Sequence, residues 1–228
     1  MKFEFIYDPV PLIIIRDIFS KKESEKILAE AIKNKSSYRV GAIADERESN
    51  KNSLKYRDNL SSYYDEIYIK DRTQSELLSS IDKLMNNENF SEILSSFAFP
   101  VNLFNTTNFH VTQVSRYGDQ GQRYKYHTDF DGKGRIVTLV YYFHKEPKKY
   151  KGGEIQFTRS PVSKGKVIDK NETPITITPE NNMMVVFGSK VAHTVLPTIS
   201  PKTFDKGRFS ANIWVGRRPS AITTMDNA

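Results

Sequence analysis

The chain of 228 residues contains no cysteine. That excludes a disulfide framework, a thiolate metal site and a cysteine nucleophile, so any bound metal must be held by histidine and carboxylate side chains. Histidine is itself scarce, at four residues, and tryptophan occurs once, as Trp214. Long apolar runs are missing too. The amino terminus, MKFEFIYDPVPLIIIRDIF, is broken by Lys2, Glu4, Asp8, Arg16 and Asp17, far short of the roughly 20 apolar residues of a membrane span or of a secretory h-region. The expected compartment is therefore the cytoplasm. Charge of one sign does not dominate: 34 Lys and Arg face 27 Asp and Glu, a net charge of +7. The lysines are spread along the chain, which favours a solvated surface over a nucleic-acid groove. No repeat or low-complexity tract is present.

At 38% hydrophobic and 12% aromatic residues, the chain can bury a sizeable core. The β-branched run Leu12 to Ile15 reads as a strand. Ser20 and Glu23 then have the Ser-x-x-Glu spacing of a capping box, which opens a helix whose face carries Ile27, Leu28, Ala31 and Ile32. Leu77, Leu78, Ile81, Leu84 and Met85 repeat the helical period, and a further helical piece covers Ser91 to Phe97. Between these helices, residues 36–62 are polar, rich in Ser and Asn and aperiodic, which predicts a long loop with at most short strands, suited to a lid. From residue 108 onward the texture is of short strands (NFHVTQVSRY, RIVTLVYYFH, GEIQFTR, TPITITP, NMMVVFG, VAHTVLP, GRFSANIWVG) separated by turn residues. The expected fold is mostly β with supporting helices (α+β), an antiparallel sandwich or jelly roll. The organisation predicted is a support region over 1–104, a core over 105–218 and a fraying tail over 219–228.

In YKYHTDFDGKGR, His127 and Asp129 are two residues apart. On a strand end they point to one face, so a chelate is geometrically cheap. Of the other histidines, His193, in the apolar strand VAHTVLP, is the candidate third ligand, while His110 and His144 lack a partner at useful spacing. Two histidines and one carboxylate on one face of a metal leave three positions open, the arrangement of non-haem iron(II) oxygenases. Downstream, Arg208, Ser210, Asn212 and Trp214 share one face of a strand, and a guanidinium with a hydroxyl two residues away can bind a carboxylate end-on.

Taken in order, RYGDQGQRYKYHTD, RIVTLVYYF, GGEIQF, VAHTVLP and GRFSANIWV resemble the iron(II)- and 2-oxoglutarate-dependent dioxygenases, most closely their prolyl 4-hydroxylase-like branch. The resemblance covers roughly residues 108–216 and implies a double-stranded β-helix. It also implies that Fe(II) is bound by His127, Asp129 and His193, with 2-oxoglutarate and O2 as co-substrates and ascorbate as reductant. Arg208 and Ser210 then hold the far carboxylate of 2-oxoglutarate, helped by Tyr142 and Thr138, and Tyr117 lines the pocket. Trp214 becomes a wall near the metal, Tyr124 and Arg57 become substrate contacts, and Gly152 and Gly153 allow close strand approach. The implied reaction is hydroxylation of an unactivated C–H, foremost that of a prolyl residue in a peptide or protein, with release of succinate and CO2.

Two positions refine the resemblance. Collagen-type members often use Lys where Arg208 stands, which places this chain nearer other subgroups. Related halogenases replace the carboxylate found at Asp129, so its presence favours hydroxylation. Other readings remain open: hydroxylation of a free amino acid or small molecule, a zinc protein, a non-catalytic cupin-type binding module, and nucleic-acid dealkylation. The last needs a second arginine where Trp214 stands. The expected partner is a peptide, protein or small-molecule substrate, and neither a membrane nor nucleic acid is expected.

Overall fold

The computed structural model describes residues 1–41, 53–96, 109–118, 120–132, 134–169 and 171–217. The central part of the expected lid loop, residues 42–52, and the tail over 219–228 lie outside the described residues. The larger sheet has eight strands in the order β1 (Lys2–Ile6), β2 (Leu12–Arg16), β14 (Met183–Gly188), β8 (Arg135–Phe143), β16 (Arg208–Gly216), β6 (Phe109–Tyr117), β5 (Leu60–Tyr63) and β3 (Arg39–Val40). The smaller sheet runs β13 (Ile175–Ile177), β10 (Ile155–Thr158), β15 (Ala192–Ile199), β7 (Gln120–His127) and β4 (Arg57–Asp58), with β9 (Lys151–Gly152) also paired to β15. A short hairpin joins β11 (Val162–Ser163) to β12 (Lys166–Val167). All these pairings are antiparallel.

The large sheet is buried on both faces, which explains why its central strands read as continuous apolar runs. Leu12, Ile14, Val140, Tyr142, Met183, Val185 and Phe187 point toward the smaller sheet and meet Ile155, Phe157 and Ile177. Their neighbours Ile13, Ile15, Leu139, Tyr141, Phe143, Met184 and Val186 point the other way, onto α1 (Lys21–Lys33), α3 (Glu76–Met85) and α4 (Glu88–Ser96). The period of two thus sorts each strand between two cores. A one-residue slip of β8 would carry Tyr142 and Thr138 out of the intersheet space.

The helices sit where their apolar stripes require. Ser20 and Glu23 form the expected capping box on α1: the Ser20 amide donates to Glu23 Oε2 at 2.9 Å and the Glu23 amide to Ser20 Oγ at 3.3 Å. Ser75 caps α3 by accepting from the Leu78 amide. The short α2 (Tyr64–Ile67) follows β5 directly. Among the described residues, no helix is long and apolar enough to cross a membrane.

Two stretches are shaped by pairings that local composition does not register. The first five-residue strand, β1, pairs β2 across the turn at the sheet's edge, where alternating charges such as Lys2 and Glu4 suit a solvated edge and disguise the strand. The described ends of the region read as a loop, 36–41 and 53–62, include β3, β4 and the start of β5, which pair with strands remote in sequence. Their polar residues are buried rather than solvated: Arg57, Asn59, Ser61 and Ser62 are all enclosed.

His110, at the start of β6, joins an ionic cluster instead of a metal site. Its Nε2 lies 2.9 Å from Asp82 Oδ1, while Arg72 bridges Asp82 and Asp65. Burial pushes the Asp82 carboxyl up, but hydrogen bonds from Arg72 and His110 outweigh it and leave the group below its ordinary value. A carboxyl depressed in the folded state stabilises the fold above its unfolded value of 3.8. That contribution disappears as pH falls through the lower folded value. The variant Asp82→Asn is therefore expected to lose stability at pH 7 and to show a flatter decline between pH 5 and 3, read by urea denaturation at each pH.

Candidate metal and co-substrate site

Three ligand-type atoms converge where the smaller sheet meets the large one. His127 ends β7, Asp129 follows it, and His193 lies opposite His127 on β15. One ligand atom from each residue falls within 4.8 Å of the other two. His127 Nε2 is 3.7 Å from Asp129 Oδ1, and His193 Nε2 is 3.7 Å from Asp129 Oδ2. Each imidazole is oriented from behind. His127 Nδ1 lies 2.8 Å from the Lys125 carbonyl and His193 Nδ1 3.0 Å from the Val191 carbonyl. A carbonyl only accepts, so the protons belong on Nδ1 and the lone pairs of both Nε2 atoms face Asp129.

The protonation states suit a cation. Burial first, and then the neighbouring His193, bring His127 down to about 3 against the pull of Asp129, so the ring is neutral. Asp129 is raised by burial, but His193 and His127, followed by Trp214 and Thr138, win and hold it below the ordinary carboxylate range. Two imidazoles that present Nε2 and one carboxylate are the donor set for a divalent metal of borderline hardness.

Thr138 behaves differently from the expectation. Its hydroxyl donates to Asp129 Oδ2 at 2.9 Å, so it orients the carboxylate instead of reaching the pocket of Arg208. Thr138→Val keeps the β-branched shape and deletes this bond. Metal affinity is expected to fall about 10- to 100-fold, as for other partners behind a metal ligand, measured by competition with a chelator.

Around the site lies an aromatic wall. The Tyr124 ring stacks on His127 with centroids 3.5 Å apart and an interplanar angle of 15°. The Arg57 guanidinium sits 5.0 Å above Tyr124. Arg57 also donates to Gln113 at 2.6 Å and to Asn59 at 3.0 Å, so this buried cation braces Tyr124 from behind. Trp214, across the site, lies under the Arg135 guanidinium at 4.0 Å and near Tyr63 at 6.4 Å. Its buried indole N–H is directed at Asp129 and helps to hold that carboxyl low, though it falls short of full hydrogen-bond geometry.

Beyond the three ligand residues, Arg208 is 1% exposed, and among the described residues no carboxylate is paired with it. Its guanidinium carbon lies 4.9 Å from the ring centroids of both Tyr117 and Tyr142. Its Nη1 reaches Ser210 Oγ at 3.4 Å, and its Nε has no partner. The hydroxyls of Tyr142, Tyr150 and Thr198 are likewise buried and unpartnered. A buried, unpaired guanidinium with several orphaned hydroxyl donors costs stability unless an anion joins them. The residues present therefore fit a carboxylate ligand. Gly153, at φ 74°, is part of the cradle: a Cβ there would stand 2.6 Å from Arg208 Cδ and 2.8 Å from Thr198 Oγ1. At Gly152, with φ 71°, a Cβ would meet the Pro197 carbonyl oxygen at 2.1 Å, the close strand approach expected of this pair.

The β8 face connects the two parts. Thr138 contacts Asp129, Tyr142 contacts Arg208, and the four-residue step between them spans roughly 13 Å of strand. His144, farther along the same face, has an Nε2 that is buried and unpartnered, and its Nδ1 lies 3.7 Å from Glu146. Sequence reasoning did not reach Tyr150, Thr198 or Arg135. Tyr150 lies in the lysine-rich stretch KEPKKYKGG, which reads as a solvated loop. Residues 145–149 are indeed exposed, but Tyr150 is buried, and a lone aromatic two residues before a Gly-Gly pair was the available signal.

Residues 112–216 match the 2OG-Fe(II) oxygenase superfamily. Over 219 residues the chain is 27% identical to an uncharacterised PKHD-type hydroxylase of Synechocystis, with 94% of this chain and 66% of that protein covered; the chain thus spans just under two thirds of that relative's length. Among solved structures, a prolyl hydroxylase from Trichoplax adhaerens in complex with a hypoxia inducible factor peptide fragment superposes with a TM-score of 0.61. It shares 17% identity, and 90% of this chain and 83% of that one are covered. A Pseudomonas putida prolyl-4-hydroxylase gives a TM-score of 0.60 at 18% identity, covering 90% of this chain and 92% of the other. Both likenesses concern the fold, a jelly roll backed by helices. The His127, Asp129 and His193 cluster lies inside the segment, residues 112–216, that is similar to the 2OG-Fe(II) oxygenase superfamily.

Proposed function

We propose that the protein is an iron(II)- and 2-oxoglutarate-dependent dioxygenase that hydroxylates an unactivated C–H, foremost that of a prolyl residue in a peptide or protein. The observation that carries this reading is a combination: three converging ligand residues and, on the same face of β8, a buried guanidinium that no carboxylate partners among the described residues. With iron(II), 2-oxoglutarate and O2 bound, the group supplies oxidative hydroxylation, yielding succinate and CO2, with ascorbate as reductant.

The chain's own residues do the positioning. His127 and His193 offer fixed Nε2 lone pairs, Asp129 brings one negative charge, and Thr138 fixes that carboxylate. Arg208 neutralises the far carboxylate of the co-substrate, while Ser210 and Tyr142 limit its orientations. Tyr117 and Tyr142 exclude water from this end, which strengthens the ion pair. Tyr124 and Trp214 flank the metal ligands and are proposed to face the substrate. Arg57 acts through Tyr124 by packing behind it. In this reading residues 1–104 support the core formed by 105–218.

The test is an anaerobic titration with iron(II) and 2-oxoglutarate, in which a weak visible metal-to-ligand band is expected. Its absence refutes the co-substrate assignment. Peptides, free amino acids and oligonucleotides are then screened for stimulated 2-oxoglutarate decarboxylation. A prolyl peptide is expected to stimulate it and to gain one oxygen atom, whereas stimulation by oligonucleotides alone would overturn the substrate class.

A further inference from the structure

Tyr150 is buried, at 3% exposure, between the exposed residues 145–149 and Lys151 of a lysine-rich turn, and its hydroxyl has no partner. Burying a tyrosine so fully while leaving its hydroxyl unsatisfied is unfavourable, and it marks a place where a polar group is expected. The ring is held rigidly, edge-on to His144 with centroids 5.4 Å apart at 86°, and lies 4.6 Å from Lys148 Nζ. The backbone immediately after it is pinned as well. β9 pairs Gly152 with Thr198 of β15, which carries the loop against the strand that bears the second orphaned hydroxyl. The point at which a Gly153 Cβ would stand lies 2.8 Å from Thr198 Oγ1 and 3.1 Å from Arg208 Nε, so these two unpartnered donors flank the same small space.

We propose that Tyr150 closes the co-substrate pocket behind Arg208. Together with Thr198 it supplies hydroxyl donors to the far carboxylate, and its ring sets the length of dicarboxylate that fits. The inference rests on the reading of Arg208 as the co-substrate anchor. It assigns what that reading leaves open, the end wall and the length selectivity. A carboxylate presents about four lone-pair sites, more than Arg208 satisfies alone while Nη1 is engaged with Ser210. Burial, against the pull of Arg208, raises Tyr150 to about 12, so its hydroxyl keeps its proton and acts as a donor at neutral pH.

Calorimetric titration of the manganese(II)-loaded protein under anaerobic conditions tests this without turnover, with 2-oxoglutarate and its one-carbon-longer homologue 2-oxoadipate as ligands. The wild type is expected to prefer 2-oxoglutarate by about 10- to 100-fold, the usual discrimination for one methylene. Tyr150→Phe keeps the wall and removes the donor: both affinities fall by about 10-fold and their ratio is unchanged. Tyr150→Ala removes the wall, so the ratio narrows or inverts. Tyr150→Leu carries the same length test should the alanine variant not fold. Unaltered 2-oxoglutarate affinity in Tyr150→Phe overturns the donor role, and a wild-type ratio in the shortened variants overturns the length role. If the wild type binds neither ligand, the co-substrate reading itself fails and this inference with it.

Discussion

Replacing Arg208 by methionine is expected to make the ligand-free protein as stable as the wild type or more so, while nearly abolishing its affinity for 2-oxoglutarate. The guanidinium is 1% exposed and packed between two tyrosine rings, with no carboxylate paired to it among the described residues. A charge taken out of water without a partner is a net cost, and replacing buried ionic groups by apolar ones of similar volume is often neutral or stabilising by about 1–4 kcal/mol. Methionine fills the space between the rings and leaves Ser210 at the pocket floor. The ligand loses its counter-charge and its directional bonds together, a loss of roughly 3–5 kcal/mol, or about two to nearly four orders of magnitude in Kd. Thermal unfolding of the metal-free protein and titration with 2-oxoglutarate read the two effects separately. A structural arginine predicts the opposite pattern, with lost stability and little change in binding. That result would remove Arg208 from the site.

The same residue shows why part of the site was legible in the sequence. His127 with Asp129, and Arg208 with Ser210, are each two apart on extended chain, so the period of two places each pair on one face without knowledge of any partner strand. Central strands such as Leu12 to Ile15 and Met183 to Phe187 were equally legible, because a sheet buried on both faces requires unbroken apolar runs. What the sequence conceals is pairing at a distance. Thr138 has a β-branched side chain suited to any strand, and only the fold decides that its hydroxyl meets Asp129 instead of the co-substrate pocket. Thr198 acquires its place from the β9–β15 pairing, and Tyr150 is hidden by the lysines around it. Arg57 lies in the stretch that reads as a polar lid, which puts its charge at the substrate. Here its charge is absorbed by its near neighbour Asn59 and by Gln113 of β6 and the Tyr124 ring of β7, and local composition does not register the last two.

Removing the metal ligands gives the second large effect. Asp129→Ala and His127→Ala are each expected to eliminate succinate formation, a fall of at least about a thousandfold, beyond the 10- to 100-fold typical of losing an outer partner. The two variants fail for different reasons, and a thermal-shift series with manganese(II) separates them. A metal that binds only the folded state stabilises it by roughly 2.7 kcal/mol at a hundred times its Kd, so the wild type should show a concentration-dependent rise in Tm. Asp129→Ala removes the only negative charge among the three converging ligands and leaves two imidazoles alone, so the rise should vanish. It also strands the Thr138 hydroxyl, whose partner is Asp129 Oδ2. The double variant Asp129→Ala with Thr138→Val should therefore recover part of the stability without recovering metal binding. His127→Ala leaves Asp129 and His193 3.7 Å apart, a bidentate remnant that still binds metal weakly. It also removes the surface on which Tyr124 is stacked. The manganese-induced rise should persist at higher concentration in His127→Ala while turnover stays absent. Undiminished turnover in His127→Ala would refute the metal assignment, because no other histidine lies close enough to replace it: His110 is engaged with Asp82, and His144 packs against Tyr150.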